Sequence, residues 1–279
     1  SSTTGEVMLR VADLHTGRAR QFAHSLAIRG ADWLDEESIV FAEDSFYLSR
    51  LFRLDRDLTQ THYLATTPSV GQLDAVTGGV LMTQLDSGVM IIHGFDLEGD
   101  REPIVMDRGI YDHHPALSGD GKVLAYASRD DQSDHIWVHE LDTNGSKHLV
   151  KFKEGQISGM TWLDVGQSLL VSHVNDRQTQ LYRIDTQNAS VEEVTHTCGE
   201  ALRPKFNAWD GYVYVLSQRS DGEIGLCRLH LLTQQSEHFD IEGVHDFSFG
   251  SNGEVLYVSN ETGMMMSLAS GEPVSWATS

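Results

Sequence analysis

One period runs through this chain and constrains its fold more than any other feature. A bulky or apolar residue lies six positions before a short strand-like run in six places: Trp33, Ala75, Leu117, Trp162, Phe206 and Phe249, at spacings of 42, 42, 45, 44 and 43 residues. A second marker, an Asp or its equivalent closing a run of alternating residues, recurs at Asp13, Asp55, Asp96, Asp142, Asp185, His230 and Ala269. Two independent markers sharing one period define a structural repeat.

Within each unit four short runs alternate apolar and polar residues, the period-two signature of strands buried on one face. In the clearest unit they are HHPALS, KVLAYASR, HIWVHELD and KHLVKF, joined by turn residues such as Gly119 to Gly121 and Thr143 to Gly145. Long amphipathic helices are absent, and four-stranded antiparallel units of this length are the signature of propeller blades. A lone four-stranded sheet leaves both faces wet, whereas blades packed in a ring bury each other and lose their exposed edges. The sequence therefore predicts an all-β chain, a single β-propeller domain spanning 1–279.

The markers count unequally, six for inner hairpins and seven for outer ones. SSTTG-EVM aligns with SNETG-MMM at Ser259 to Met266, which places Ser1 just after an inner hairpin belonging upstream. Seven blades fit best, the first incomplete: 1–24, 25–66, 67–107, 108–152, 153–196, 197–241 and 242–279. Six blades are the alternative, with the N-terminal hairpin as an accessory or as part of the closure.

The formal charge of −21 repels phosphate backbones and anionic lipid surfaces, so direct nucleic-acid binding by this segment is not expected. No run is apolar and long enough to span a bilayer, and the first residues lack the regions of a signal peptide. Membrane attachment would have to come from an upstream anchor. Cys198 and Cys227 have no metal-ligand spacing and read better as two buried free thiols than as one bridge.

His113 to Val150 closely resembles the propeller repeats of the TolB type, also called WD40-like or PD40 repeats. Pro115, Ser118, Asp120, Gly121, Ser128, Arg129, Asp130, Ile136, Trp137, Leu141 and Asp142 match the repeat pattern, and Leu181 to His196 is a second match to its outer hairpin. Elsewhere the motif decays, and the turn after the inner strand becomes DEE, TGG, DVG, WDG or SNG. Such repeats occur in periplasmic translocation proteins, in non-catalytic propellers of prolyl-oligopeptidase-like peptidases, and behind the membrane helix of ToxR- or CadC-like regulators. The resemblance implies a periplasmic, non-catalytic module that binds a protein or small-molecule signal, most similar to the sensory part of such a regulator. A TolB-like envelope assembly partner, or the propeller of a peptidase or metal-dependent lyase-like enzyme, is the alternative.

No G-x-S-x-G, H-E-x-x-H or P-loop is present, so no catalytic residue and no cofactor are assigned. Tyr111, Asp112, His113 and His114 lie where a chain approaches a propeller's channel and are the candidate ligand or partner site. Asp130, Asp131 and Asp134 form an acidic loop whose carboxylates are hard-cation ligands in type, though their spacing is not that of an EF-hand. A solvated turn is the expected role, and no metal is assigned.

Overall fold

The computed structural model describes residues 7–13, 19–24, 28–45, 48–76, 79–86, 89–97, 105–106, 111–130, 133–175, 178–218, 224–239, 243–250, 254–259, 265–266 and 273–274. The N-terminal hairpin is β1 (Val7–Asp13) and β2 (Ala19–His24). The first complete blade follows as β3 (Ile28–Asp35), β4 (Ser38–Ser45), β5 (Leu48–Asp55) and β6 (Thr61–Pro68). The second is β7 (Val70–Val76), β8 (Gly79–Asp86), β9 (Val89–Asp96) and the two-residue β10 (Val105–Met106). The third is β11 (Tyr111–Leu117), β12 (Val123–Arg129), β13 (Asp134–Glu140) and β14 (Gly145–Phe152). The fourth is β15 (Gln156–Trp162), β16 (Ser168–Asn175), β17 (Gln178–Asp185) and β18 (Val191–Val194). The fifth is β19 (Glu200–Asn207), β20 (Tyr212–Gln218), β21 (Ile224–Leu229) and β22 (Ser236–Phe239). Then come β23 (Val244–Phe249), β24 (Glu254–Ser259) and the short pair β25 (Met265–Met266) and β26 (Pro273–Val274).

The N-terminal hairpin is not a seventh blade. The last sheet has the order β2-β1-β24-β23, with Val11 opposite Leu256 and Met8 opposite Ser259, so both ends of the chain build the sixth blade. An outer hairpin cannot bury its own face, and the free edge of β24 offers it both a hydrogen-bond ladder and an apolar wall. β25 pairs with β26. The seventh outer marker, Ala269, lies outside the described residues.

Packing confirms the count. Among the described residues the buried apolar side chains form six clusters, one for each pair of neighbouring blades. The closing one joins Leu9, Val11 and Leu256 of the sixth blade to Ile39, Phe41 and Leu54 of the first. Glu254 adds a polar latch there, accepting from Arg56 of the first blade at 2.8 Å and from Arg20 of β2 at 3.4 Å.

The outer markers owe their recurrence to turn chemistry. Asp55 accepts the backbone N–H groups of Thr59 and Gln60, and Asp185 those of Gln187 and Asn188. His230 does the same through Nδ1 for Thr233. Cys198 and Cys227 form a disulfide with a Cα–Cα distance of 5.8 Å, correcting the expectation of free thiols. Cys198 leads into β19 and Cys227 lies on β21, and both are buried in the core between the fourth and fifth blades.

All six inner strands carry a register break at the same place, between Ile28 and Gly30, Val70 and Gln72, His113 and Ala116, Ile157 and Gly159, Leu202 and Lys205, and Val244 and Asp246. Such bulges kink a strand and re-aim its side chains. His114 (φ 50°) and Arg203 (φ 47°) are held there in the left-handed region. At Gly159 a Cβ would lie 2.7 Å from the Cα of Arg203 and 3.1 Å from Cδ of Pro204. Gly159→Ala is therefore expected to cost about 1–3 kcal/mol in urea unfolding by forcing the fourth and fifth blades apart.

Candidate functional site

The residue immediately before each inner marker faces the channel: Asp32, Asp74, Ala116, Thr161, Lys205 and Ser248, one per blade. Below this ring, at the bulges, lie Gln72, His114, Gly159, Arg203 and Asp246. Together they floor an open cavity of about 440 Å³ whose walls include Met160, Trp162, Phe206 and Phe249. Its mouth is at the turns that join the first two strands of each blade. Val165 and Trp209 stand exposed at those turns, at 61% and 47%.

The upper ring also ties blade to blade. Asp32 accepts the backbone N–H of Ala75 at 2.8 Å, and Thr161 accepts that of Phe206 at 3.2 Å. Trp162 donates its indole N–H to the carbonyl of Ala116 at 2.9 Å, which fixes the plane of the ring.

Lys205 reaches across the channel. Its Nζ donates to Oδ1 of Asp74 at 3.1 Å, joining the fifth blade to the second, which lie opposite each other in a ring of six. Oδ2 of Asp74 accepts from Nε2 of Gln72 at 2.8 Å, and Oε1 of Gln72 lies 3.0 Å from Nδ1 of His114. With the Gln72 amide turned toward Asp74, its carbonyl must accept, so His114 donates from Nδ1. Arg203 donates to the carbonyl of His245 at 3.0 Å and lies 3.6 Å from Asp246.

Burial pushes the Asp32 carboxyl up to about 6, with Lys205 opposing and Asp74 reinforcing the rise. It likewise raises Asp246, against Lys205 and Arg203. Burial disfavours the Lys205 ammonium, yet Asp74, Asp32 and Asp246 outweigh it and hold the lysine above its ordinary range. Burial, helped by His113 and Arg203, lowers His114 to about 3, so the imidazole is neutral at physiological pH.

Of the four residues expected at the channel, only His114 lines the cavity. Tyr111 is exposed and its ring lies 5.2 Å from that of His113. Asp112 is fully buried, and His113 points to Asp134 at 3.6 Å. The acidic loop is not one site either. Asp130 pairs with His135 at 2.8 Å and Lys151 at 3.1 Å, while buried Asp134 accepts the backbone N–H of Ile157 at 2.6 Å. Asp131 lies outside the described residues, among which no group of three metal-ligating side chains occurs.

Fold and channel together define a closed β-propeller, and the solved structures similar to it include TolB. A protein described as TolB from Agrobacterium tumefaciens matches with a TM-score of 0.77 at 17% identity, over 91% of this chain and 98% of that one. TolB from Acinetobacter baumannii matches with a TM-score of 0.63 at 17% identity, over 97% of this chain and 63% of that one. A puromycin hydrolase matches with a TM-score of 0.58 at 15% identity, over 88% of this chain and 46% of that one. Identities this low show the fold alone. No protein-family model matches the chain. Among the described residues no helix is long and apolar enough to cross a membrane.

Proposed function

We propose that this chain is a binding propeller, without a catalytic step of its own, that takes a ligand at the mouth of its channel. One observation carries the reading: a cavity of about 440 Å³, within the size range of small-molecule sites, ends on a salt-bridged polar floor under aromatic walls. The Asp74–Lys205 pair and the pinned Trp162 make that site rigid before anything binds. The test is a fragment screen followed by NMR. Hits are expected to shift the indole N–H signal of Trp162, and Ala208→Trp, which narrows the mouth, is expected to abolish those shifts. Hits that leave Trp162 unmoved, or shifts that survive Ala208→Trp, overturn the reading.

The proposed setting is the bacterial periplasm, with the propeller serving as the sensory domain of a membrane-tethered transcriptional regulator. A buried disulfide suits an oxidising compartment, and the TolB-type repeats are similar to those found behind the membrane helix of such regulators. The coding sequence upstream is expected to specify a winged helix and a membrane span. A reading frame that encodes neither overturns the regulator assignment.

A further inference from the structure

We infer that the channel cavity takes an organic cation, an ammonium or guanidinium group carried on an apolar or aromatic body. The inference rests on the channel-site reading above and names the chemistry of its ligand. It follows from a charge count on the cavity floor. Three carboxylates, Asp32, Asp74 and Asp246, face two cations, Lys205 and Arg203, while His114 is neutral. Both cations are already engaged, Lys205 with Asp74 and Arg203 with the carbonyl of His245 beside Asp246. One negative charge is left over in a partly desolvated space, where an uncompensated charge is costly and a counter-charge is favoured.

The walls suit the same ligand. Trp162, Phe206 and Phe249 line the cavity above this floor, and aromatic faces attract cations as well as apolar bodies. The indole of Trp162 is already fixed by its bond to Ala116, so little ordering is needed on binding. An anion would meet three carboxylates with both cations engaged. The formal charge of −21 acts in the same direction from a distance, concentrating cations at the mouth.

Phenethylamine, phenethyl alcohol and phenylacetate share one body and differ in the charge of the head, and they serve as probes of the intact protein. Titrations followed at the Trp162 indole signal are expected to show the amine binding at least tenfold more tightly than either of the others. Asp246→Asn is expected to weaken the amine about tenfold, to leave the alcohol unchanged, and to keep the cooperative unfolding of the parent. Equal binding of all three probes, or tighter binding of phenylacetate, overturns the cation assignment and leaves a binding cavity standing. Failure of these probes and of every fragment to move Trp162 overturns the channel site itself and this inference with it.

Discussion

Lys205→Met is expected to lower the unfolding free energy by about 3 kcal/mol at pH 7.5, and by clearly less at pH 5. Removing one partner of a buried ion pair costs about 3–5 kcal/mol because the other charge stays behind. The lower end applies here, since Lys205 and Asp74 each keep 21% of their side-chain surface exposed and water screens part of the loss. The pH dependence separates charge from packing. Without the ammonium, the carboxyls of Asp32 and Asp246, already raised by burial, lose an opposing positive charge and rise further above the unfolded value. The native state then binds protons that the unfolded chain has released, so the variant regains stability as pH falls from the neutral range toward 5. Urea melts at the two pH values provide the measurement. A loss of equal size at both would assign the effect to packing, and the channel-spanning pair would not have the role described. Adding Asp74→Asn is expected to recover part of the loss, because it removes one stranded charge.

The inner markers were legible because each fills an equivalent space between blades: Trp33, Trp162 and Phe206 recur where one blade packs on the next. The blade number was harder to read. The composition of β1 and β2 says outer hairpin, but not whose edge it completes, and that edge lies more than 240 residues away at β24. The four residues expected at the channel part company for a geometric reason. Tyr111, Asp112, His113 and His114 are neighbours in sequence, yet successive residues of a strand point to opposite sides, and of the four only His114, two residues before Ala116, lines the channel. The residues that build the floor come one or two from each blade, so no local motif contains them. A signal was nonetheless present. Reading the residue before each inner marker gives Asp, Asp, Ala, Thr, Lys and Ser, three charged groups at a position that recurs once per repeat. The disulfide had no such signal, since a separation of 29 residues does not reveal that Cys198 and Cys227 share a core.

Leu9→Ala is expected to cost about 2–5 kcal/mol, the range for removing a buried leucine side chain from a packed core. Leu9 is fully buried and belongs to the cluster shared by the sixth and first blades, with Val11, Leu256, Ile39 and Phe41. Its position makes the substitution a test of ring closure. If β1 and β2 complete the sixth blade, the whole ring senses the cavity, and fluorescence and circular dichroism report one transition moved to lower urea with its slope unchanged. If the hairpin were an appendage, the propeller would unfold at its original midpoint and the hairpin would melt separately or without a visible transition. Leu232→Ala is the control, since that side chain is 90% exposed on an outer turn and its loss is expected to stay within about 0.5 kcal/mol. The cost at Leu9 should also appear mainly in the unfolding rate if closure is the last step of folding. The chain must bring its two ends together across nearly its full length before β1 can pair with β24, so the contact is among the most non-local in the molecule.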